Sequence, residues 1–428
     1  MSTIKKDYTL MPMSELHFLG GAREVGRSAI LLKGSKRILL DYGIKLDDKT
    51  EYPLAAGGVD ACVLSHAHLD HSGAMPMLYN TGFPTAYGTE PTKELGELLI
   101  DDSLKISRRN HQASRFSKRQ LKIFLNHFAP YEYGSVTDVG EYSLSLHDAG
   151  HVPGSAITRI ENKKGRRLVY TGDFKLEPQI LQGPAEVVKS DVLIIESTYA
   201  NREHPNRDAL AKAFIDDVRG VLANGGTALV PAFAVGRAQE LVALLYRNSL
   251  IDYVSIDGMA KAATEIAMRH PEFMKNIELL RSASKRMDWL GSAQAREAAL
   301  NSPGIIVTTA GMLNGGPVLN YLTKLSPNSK IFLTGYQVEG TNGRRLLDGK
   351  PLLIDGKKHH VHTPFAFYDF SAHSGKSDLY RYVRESGPET VVCVHGDRAA
   401  AEEFAETLRM EGFDAHAPKI GEELKLEF

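Results

Sequence analysis

The residues best suited to chemistry lie in one short segment. From position 63 the sequence reads VLSHAHLDHSG, which places four potential metal ligands within six positions: His66, His68, Asp70 and His71. Imidazole and carboxylate groups are ligands that Zn²⁺ accepts, at about 2.0–2.2 Å. A turn between a strand and a helix directs alternate side chains to different centres, so the first two histidines can serve one ion and the other two residues a second. The segment therefore predicts two neighbouring metal sites.

Two catalytic ions need more ligands than this segment supplies, and residues of the right types follow other predicted strands. His151 lies in DAGHVPGS, Asp173 in YTGDF, and His395 ends the run VVCVH. Asp41 ends RILLD, where its carboxylate can accept a hydrogen bond from a ligating histidine and orient the ring. Each of these residues alone is more often a satisfied polar group than a ligand. Because the same placement recurs four times, we expect them to meet in one site.

Two further residues fit proton transfer. Glu196 ends the predicted strand VLIIE, and His373 lies in FSAHSG. A carboxylate beside an imidazole raises the pKa of the imidazole, which suits a general acid at neutral pH. The predicted catalytic residues are therefore His373, Glu196 and Asp70, the last of which also serves as a metal ligand.

Length and composition restrict the class of protein. At roughly 150 residues per domain, the 428 residues predict two to three domains, and 43% hydrophobic with 24% charged residues is typical of a soluble globular protein. No apolar run reaches the ~18 residues of a membrane span, and the first residues contain no signal-peptide core. Cys62 and Cys393 are predicted to be reduced, buried thiols. These features predict a cytoplasmic protein without a membrane association.

The balance of charge restricts how a polyanion could bind. The net charge is -1, so any nucleic acid must be held by a local basic patch. The segment 103–122 contains seven basic residues and no acidic one. A solvated surface is the more frequent explanation of such a run.

The elements that must position these residues change in character along the chain. Before position 200, strands are predicted at 14–19, 28–32, 37–41, 61–65, 143–148, 156–161, 167–171 and 191–196, with helices at 74–80 and from 90 to about 128. From about 206 to 351, strands alternate with helices, which is typical of a parallel sheet. The last part is predicted as a strand over 360–369, a helix, a strand over 390–395, a helix and a closing strand. The middle unit is therefore predicted to be an insertion.

With these residues in place, the chain resembles the metallo-β-lactamase fold and, more narrowly, the β-CASP nucleases. The motifs of that family correspond in chain order to Asp41, HAHLDH, His151, Asp173, Glu196 (motif A), His373 (motif B) and His395 (motif C). Further matching stretches are GGAREVGRS, PAFAVGRAQEL, GMLNGGP and GYQVEGTNGRRLL. The resemblance covers nearly the whole chain, and within the family it is greatest to the archaeal type of cleavage and polyadenylation specificity factor (CPSF) nuclease without KH domains.

The resemblance implies a fold and a domain organisation. The fold would be α/β, an αβ/βα metallo-β-lactamase sandwich with an inserted β-CASP α/β domain. The sandwich would take residues 1–200 and 369–428, and the insertion residues 201–368. A cleft between the two units would admit single-stranded RNA, with phosphates contacted by Arg237, Arg344 and Arg345.

The resemblance also implies an activity. The chain would be a zinc-dependent ribonuclease of messenger RNA 3′-end processing or decay, an endonuclease with or without 5′→3′ exonuclease activity. Hydroxide activated by two Zn²⁺ ions would attack phosphorus, and His373 would protonate the leaving 3′ oxygen. One ion would be held by His66, His68, His151 and Asp173, and the other by Asp70, His71, His395 and a bridging Asp173.

Several alternatives remain open at the level of sequence. The same fold could act on a thioester or a lactam, could process DNA, or could serve as a non-catalytic scaffold in an RNA-processing complex. A histidine at motif C favours RNA over DNA by resemblance. His/Asp sites also bind Mn²⁺ or Fe²⁺. The closing strand EELKLEF could complete a sheet or pair across a homodimer.

Overall fold

The structure is a computed structural model that describes residues 13–46, 49–109, 111–354 and 356–428. The first part of the chain is mostly strands, with its longest helix in the middle. The strands are β1 (Met13–Gly20), β2 (Ala29–Lys33), β3 (Arg37–Leu40), β4 (Lys45–Leu46), β5 (Thr50–Glu51), β6 (Ala61–Val63), β7 (Thr85–Gly88), β8 (Phe128–Pro130), β9 (Val136–Val139), β10 (Tyr142–Asp148), β11 (Ala156–Asn162), β12 (Arg167–Tyr170) and β13 (Val192–Glu196). The helices are α1 (Leu69–Ser72), α2 (Glu90–Arg109) and α3 (Lys118–Asn126), with a 3₁₀ helix over Met75–Asn80.

The rest of the chain alternates helices with short strands. The order is α4 (Arg207–Ala223), β14 (Thr227–Pro231), α5 (Arg237–Arg247), β15 (Val254–Ile256), α6 (Met259–Arg269), α7 (Ile277–Ser284), β16 (Asp288–Trp289), α8 (Ala293–Leu300), β17 (Gly304–Thr308), α9 (Val318–Leu322), β18 (Lys330–Leu333), α10 (Asn342–Leu347), β19 (Leu352–Ile354), β20 (Lys357–His359) and β21 (Phe365–Phe367). It closes with α11 (Lys376–Ser386), β22 (Thr390–Val394), α12 (Arg398–Met410), β23 (Asp414–His416) and β24 (Glu423–Glu427).

Two seven-stranded sheets pack face to face. Their strand orders are β24-β1-β2-β3-β6-β7-β8 and β23-β22-β13-β12-β11-β10-β9. Alternate residues of β2 and β3 point to opposite faces: Ile30 and Leu40 join the core between the sheets, whereas Leu31 and Leu39 pack beneath α2 and α3. Helices α11 and α12 cover the outer face of the second sheet. These four layers confirm the predicted αβ/βα sandwich.

The middle of the chain forms a separate six-stranded sheet with the order β16-β15-β17-β14-β18-β21. All of its pairings are parallel. Because both faces of such a sheet are covered, its central strands are mostly apolar: Val230 packs on one side and Leu229 on the other. The predicted strand–helix alternation is confirmed. The exact domain boundaries stay a prediction.

Two predicted elements are wrong in extent. The helix predicted from 90 to about 128 is two helices, because Ser117 starts a new one by accepting a hydrogen bond from the N–H of Arg119 and forming a capping box with Gln120. The strand predicted over 360–369 is confined to Phe365–Phe367. Pro364 immediately precedes it, and proline lacks the N–H that a ladder requires.

Candidate metal centre and active site

The candidate site lies at one edge of the two packed sheets, where strands end in turns. Asp41 and His395 directly follow β3 and β22, and both have positive φ angles, of 56° and 48°. His151 lies in the turn between β10 and β11, and Asp173 follows β12. His66 lies in the turn between β6 and α1. Neighbouring strands that end at the same edge therefore bring residues far apart in sequence together.

The first cluster contains His66, His68, His151 and Asp173, whose ligand atoms all lie within 4.8 Å of one another. His68 Nδ1 is 3.1 Å from His66 Nε2 and 3.3 Å from His151 Nε2. Asp173 Oδ2 is 3.6 Å from His66 Nε2 and 3.8 Å from His151 Nε2. Two ligand atoms about 2.0–2.1 Å from one tetrahedral ion lie roughly 3.3–3.4 Å apart. The four side chains thus fit a single metal ion.

The second cluster contains Asp70, His71, Asp173 and His395, again within 4.8 Å of one another. Asp173 Oδ1 is 3.3 Å from His71 Nε2 and 3.2 Å from His395 Nδ1. Asp70 Oδ2 is 3.3 Å from His395 Nε2. Within the described part of the chain, the buried atoms His71 Nε2 and Asp173 Oδ1 have no hydrogen-bond partner. Unpaired buried polar atoms are costly, and a cation between them would satisfy both.

Asp41 fixes the orientation of His71. Its carboxylate is completely buried and accepts four hydrogen bonds, from the N–H and hydroxyl of Ser65, the hydroxyl of Tyr170 and Nδ1–H of His71. The distance from Asp41 Oδ2 to His71 Nδ1 is 2.7 Å. Because Nδ1 of His71 is engaged in this way, Nε2 faces the cluster and is free to bind a metal. His151 is held similarly, since its Nδ1–H donates to the carbonyl of Ala372 at 2.9 Å.

Burial and mutual charge set the protonation of the ligands. Burial lowers the pKa of His66 and His151 well below the usual range, so both rings are neutral, the form that binds metals. Burial by itself would raise the pKa of Asp173, but the charges of His395 and His71 hold it well below its usual range. The site therefore presents the neutral imidazoles of His66 and His151 beside an ionised carboxylate. Burial alone would lower the pKa of His71 as well, but the charges of Asp173 and Asp41 raise it well above its usual range.

His373 lies beside both clusters and pairs with Glu196. His373 Nδ1 is 2.9 Å from Glu196 Oε2, and Glu196 Oε1 accepts the backbone N–H of Phe174 at 2.9 Å. Burial alone would lower the pKa of His373, but the charges of Glu196 and then Asp173 raise it to about 9. With Nδ1 engaged, Nε2 remains for proton donation.

The sequence did not predict the groups that support His373. Lys175 Nζ and His204 Nε2 both donate to the backbone carbonyl of His373, at 2.9 and 3.1 Å. The ring of Tyr199 lies 5.8 Å from the ring of His373 and carries the guanidinium of Arg202 at 4.3 Å. Tyr199 and His204 closely follow motif A in chain order, which is the one signal that could have indicated them.

The inserted sheet reaches the site through the segment between β14 and α5. The carbonyl of Val235 lies 3.5 Å from His68 Nε2, and a Cβ on Gly236 would lie 2.5 Å from Val152 Cγ1. The middle of the chain therefore covers the first cluster at close range.

The three arginines predicted to bind substrate have different surroundings. Arg344 and Arg345 both lie in α10. Arg344 Nε donates to Asp348 at 2.9 Å, and Arg345 Nε donates to the carbonyl of Pro351 at 2.7 Å. Arg237 begins α5 and is buried. In the described part of the chain, no hydrogen bond or ion pair joins these arginines to the two clusters.

Three family profiles match the chain. The metallo-beta-lactamase superfamily domain matches residues 30–192, the Beta-Casp domain residues 238–346, and the Zn-dependent metallo-hydrolase RNA specificity domain residues 358–418.

Curated relatives match over most of the chain. A probable RNase, MJ4, from Methanocaldococcus jannaschii is 35% identical over 96% of this chain and 100% of its own length. RNase aCSPSF2 from Saccharolobus solfataricus is 37% identical, over 96% of this chain and 85% of its own length. Transcription termination factor FttA from M. jannaschii is 35% identical, over 95% and 70%.

A solved structure supports the fold alone. It is a protein of unknown function from Enterococcus faecalis V583, with a TM-score of 0.63 and 15% identity, and the match covers 97% of this chain and 100% of that one.

The fold and the two ligand clusters define a metallo-hydrolase of the metallo-β-lactamase superfamily. The chain belongs to the β-CASP nuclease family within it, as the matched domains and the relatives show. It is therefore a hydrolase of the nuclease type, as the sequence predicted. Among the described residues, no helix has both the length and the apolar character that crossing a bilayer requires.

Proposed function

We propose that this protein is a zinc-dependent ribonuclease that cleaves phosphodiester bonds of single-stranded RNA, with internal cleavage as its main activity. The observation that carries the proposal is the His373–Glu196 pair beside two metal-ligand clusters that share Asp173. Hydrolysis of a lactam or a thioester does not require a histidine–glutamate pair to protonate the leaving group. The relatives named RNase and the match to an RNA specificity domain support RNA as the substrate.

The chain's own residues would divide the work as follows. His66, His68, His151 and Asp173 would hold one Zn²⁺, and Asp70, His71, His395 and the bridging Asp173 the other. When bound, the two ions would supply Lewis-acid stabilisation of the charge that develops at the phosphoryl group. Asp41 would keep Nε2 of His71 directed at its ion.

His373 would act as the general acid. Glu196 accepts a hydrogen bond from Nδ1, which stabilises the charged imidazolium and leaves Nε2–H to donate to the leaving 3′ oxygen. The products would be a 5′-phosphate and a 3′-hydroxyl. The segment at Val235 and Gly236 lies over the ligands and would exclude a duplex from the metal centre.

The test measures the metal content of the protein and its cleavage of RNA in the same sample. Purified protein, with its metal content measured, is incubated with single-stranded RNA labelled at either end, carrying a 5′-monophosphate or a 5′-hydroxyl, and with a matched DNA. We expect about two metal ions per chain and internal fragments from RNA alone. Mononucleotides released only from 5′-monophosphate RNA would instead identify an exonuclease. Absence of cleavage by metal-loaded protein, or equal cleavage of DNA, would overturn the proposal.

A variant tests the division of roles. Replacing the general acid in His373→Ala should lower the cleavage rate 10²–10⁴-fold and leave the metal content unchanged. The matched control is His147→Ala, because His147 also pairs with a glutamate, Glu186 at 3.0 Å, but contributes to neither cluster. Loss of metal together with activity in His373→Ala would show that His373 is a ligand and not the acid.

A further inference from the structure

A small cavity lies where the inserted unit joins the sandwich. It has a volume of about 110 Å³ and lies between α4, α5, the segment around Ile180 and the residue Phe370 that precedes motif B. A water molecule needs roughly 10–15 Å³ by this kind of measure, so the space can hold several waters or one tetrahedral oxyanion. It is too small for a nucleoside.

Arg237 carries a buried charge that faces this cavity. The residue is 7% exposed and lines the cavity wall. Within the described part of the chain, its Nε and Nη1 groups have no hydrogen-bond acceptor. A guanidinium does not deprotonate in proteins, and an unpaired buried charge is strongly destabilising. Arg237 therefore needs a partner.

The nearest acidic residue on the same helix is already engaged. Glu240 accepts the backbone N–H of Ile180 at 2.9 Å with one carboxylate oxygen and that of Leu181 at 2.7 Å with the other. These bonds anchor α5 to the sandwich and turn the Glu240 carboxylate toward the backbone. Glu240 offers Arg237 a nearby charge, but in the described part of the chain Nε and Nη1 of Arg237 still have no hydrogen-bond acceptor, which an occupant of the cavity could supply.

The charged residues in the other walls of the cavity favour the binding of an anion. Arg207 and Arg247 also line the cavity, so three arginines face two acidic residues, Asp208 and Glu240. The guanidinium of Arg207 stacks over the ring of Phe370 at 5.0 Å and donates to the carbonyl of Ser371 at 3.3 Å. Guanidinium groups form paired hydrogen bonds with the oxygens of phosphate.

We propose that this cavity is a binding site for a single phosphate group, separate from the metal centre. Arg237 binds the group at the bottom of the cavity, and Arg207 and Arg247 bind it from the sides. The source is free inorganic phosphate or the terminal phosphate of a nucleotide. An occupant holds Arg207 and Phe370 in place and so stabilises the segment that leads to His373, whose N–H donates to Ser371 Oγ at 3.1 Å.

The test measures phosphate binding by titration calorimetry at constant ionic strength, with chloride as the exchanged anion. The metal-loaded protein is titrated with inorganic phosphate, with adenosine 5′-monophosphate and with adenosine. We expect saturable phosphate binding and a higher melting temperature. In Arg237→Gln the binding should weaken about 10- to 100-fold, as expected for loss of charged hydrogen bonds. Binding of adenosine monophosphate with the same dependence on Arg237 would identify a nucleotide phosphate as the source, and binding of inorganic phosphate alone a free ion.

Controls separate this site from the metal centre, which can also bind phosphate. Arg237→Gln keeps every metal ligand, so only the binding that this substitution removes belongs to the cavity. Arg219→Gln is the matched control, because Arg219 lies on α4 but outside the cavity and donates to the carbonyl of Asn248. If Arg237→Gln does not fold, Arg247→Gln on the exposed rim should weaken binding several-fold. Unchanged phosphate binding in the folded variants would overturn the proposal, whether or not the protein cleaves RNA.

Discussion

At the scale of single residues, the orientation of a side chain in the candidate site matters as much as its residue type. His71 can bind a metal through Nε2 only because Asp41 occupies its Nδ1. The positive φ of 56° at Asp41 turns its carboxylate back toward the loop that carries the ligands. One buried carboxylate thus accepts hydrogen bonds from Ser65, Tyr170 and His71 together.

We predict that Asp41→Asn lowers metal affinity about 10- to 100-fold, the usual cost of losing such a supporting group. An amide cannot accept all four hydrogen bonds, and its NH₂ group would face the donors of Ser65 and Tyr170. Competition with a chelator measures the affinity. Asp60→Asn is the control, because Asp60 accepts from Arg37 and Lys36 at the exposed surface. Equal metal retention in both variants would contradict this role.

The seven residues that the sequence predicted as metal ligands lie together in the two clusters, because they follow strands or the turn after β6; their metal binding stays a prediction. The sequence could not predict Tyr170 or Ser65 as partners of Asp41, since neither type is distinctive in a strand or turn. Their part depends on how β12 lies against the end of β3, which only the packed structure determines. Arg237 illustrates the same limit: its type indicated a phosphate contact, but its burial in a cavity could not be read from the sequence.

At the scale of elements, the start of α5 connects the inserted unit to the metal ligands. Gly236 has a φ of 82°, and Val152, next to the ligand His151, leaves no room for a Cβ. Sequence patterns predicted the strand–helix alternation that includes α5, because apolar positions repeat regularly there. The predicted extents of the strand at 360–369 and of the helix at 90–128 were wrong. Pro364 interrupts the strand pattern, and the capping residue Ser117 interrupts the helix pattern.

We predict that Gly236→Ala destabilises the protein by about 1–3 kcal/mol through backbone strain, with a further cost from the contact with Val152. Urea unfolding measures the free energy. Gly225→Ala is the matched control, because Gly225 has a φ of 73° but no atom within 4 Å of a Cβ. The difference between the two variants isolates the contact. Equal destabilisation would mean that α5 shifts away from the sandwich without cost.

At the scale of the whole molecule, the charge pattern limits how RNA can be held. The net charge is -1, and the basic run over 103–122 is partly neutralised. Lys105 and Lys118 both pair with Asp101, at 2.7 and 2.6 Å, and Arg115 lies over the ring of Tyr52. Asp101 lies just before this run and offsets part of its positive charge, so the count of basic residues within 103–122 overestimates the positive potential at this surface. Contact with RNA should therefore be confined to a few phosphates in the predicted cleft between the inserted unit and the sandwich.

This confinement predicts a weak dependence of RNA affinity on salt. When a single strand binds, a plot of log K for binding against the logarithm of salt concentration has a slope of about −0.7 for each phosphate neutralised. Two to four phosphate contacts therefore give a slope of roughly −1.5 to −3. The measurement is fluorescence anisotropy of labelled RNA with His373→Ala, which binds without cutting. Replacing the exposed Arg108 and Arg109 by glutamine should leave the slope unchanged. A slope near −6 that falls in this double variant would show instead that RNA extends from the cleft across α2.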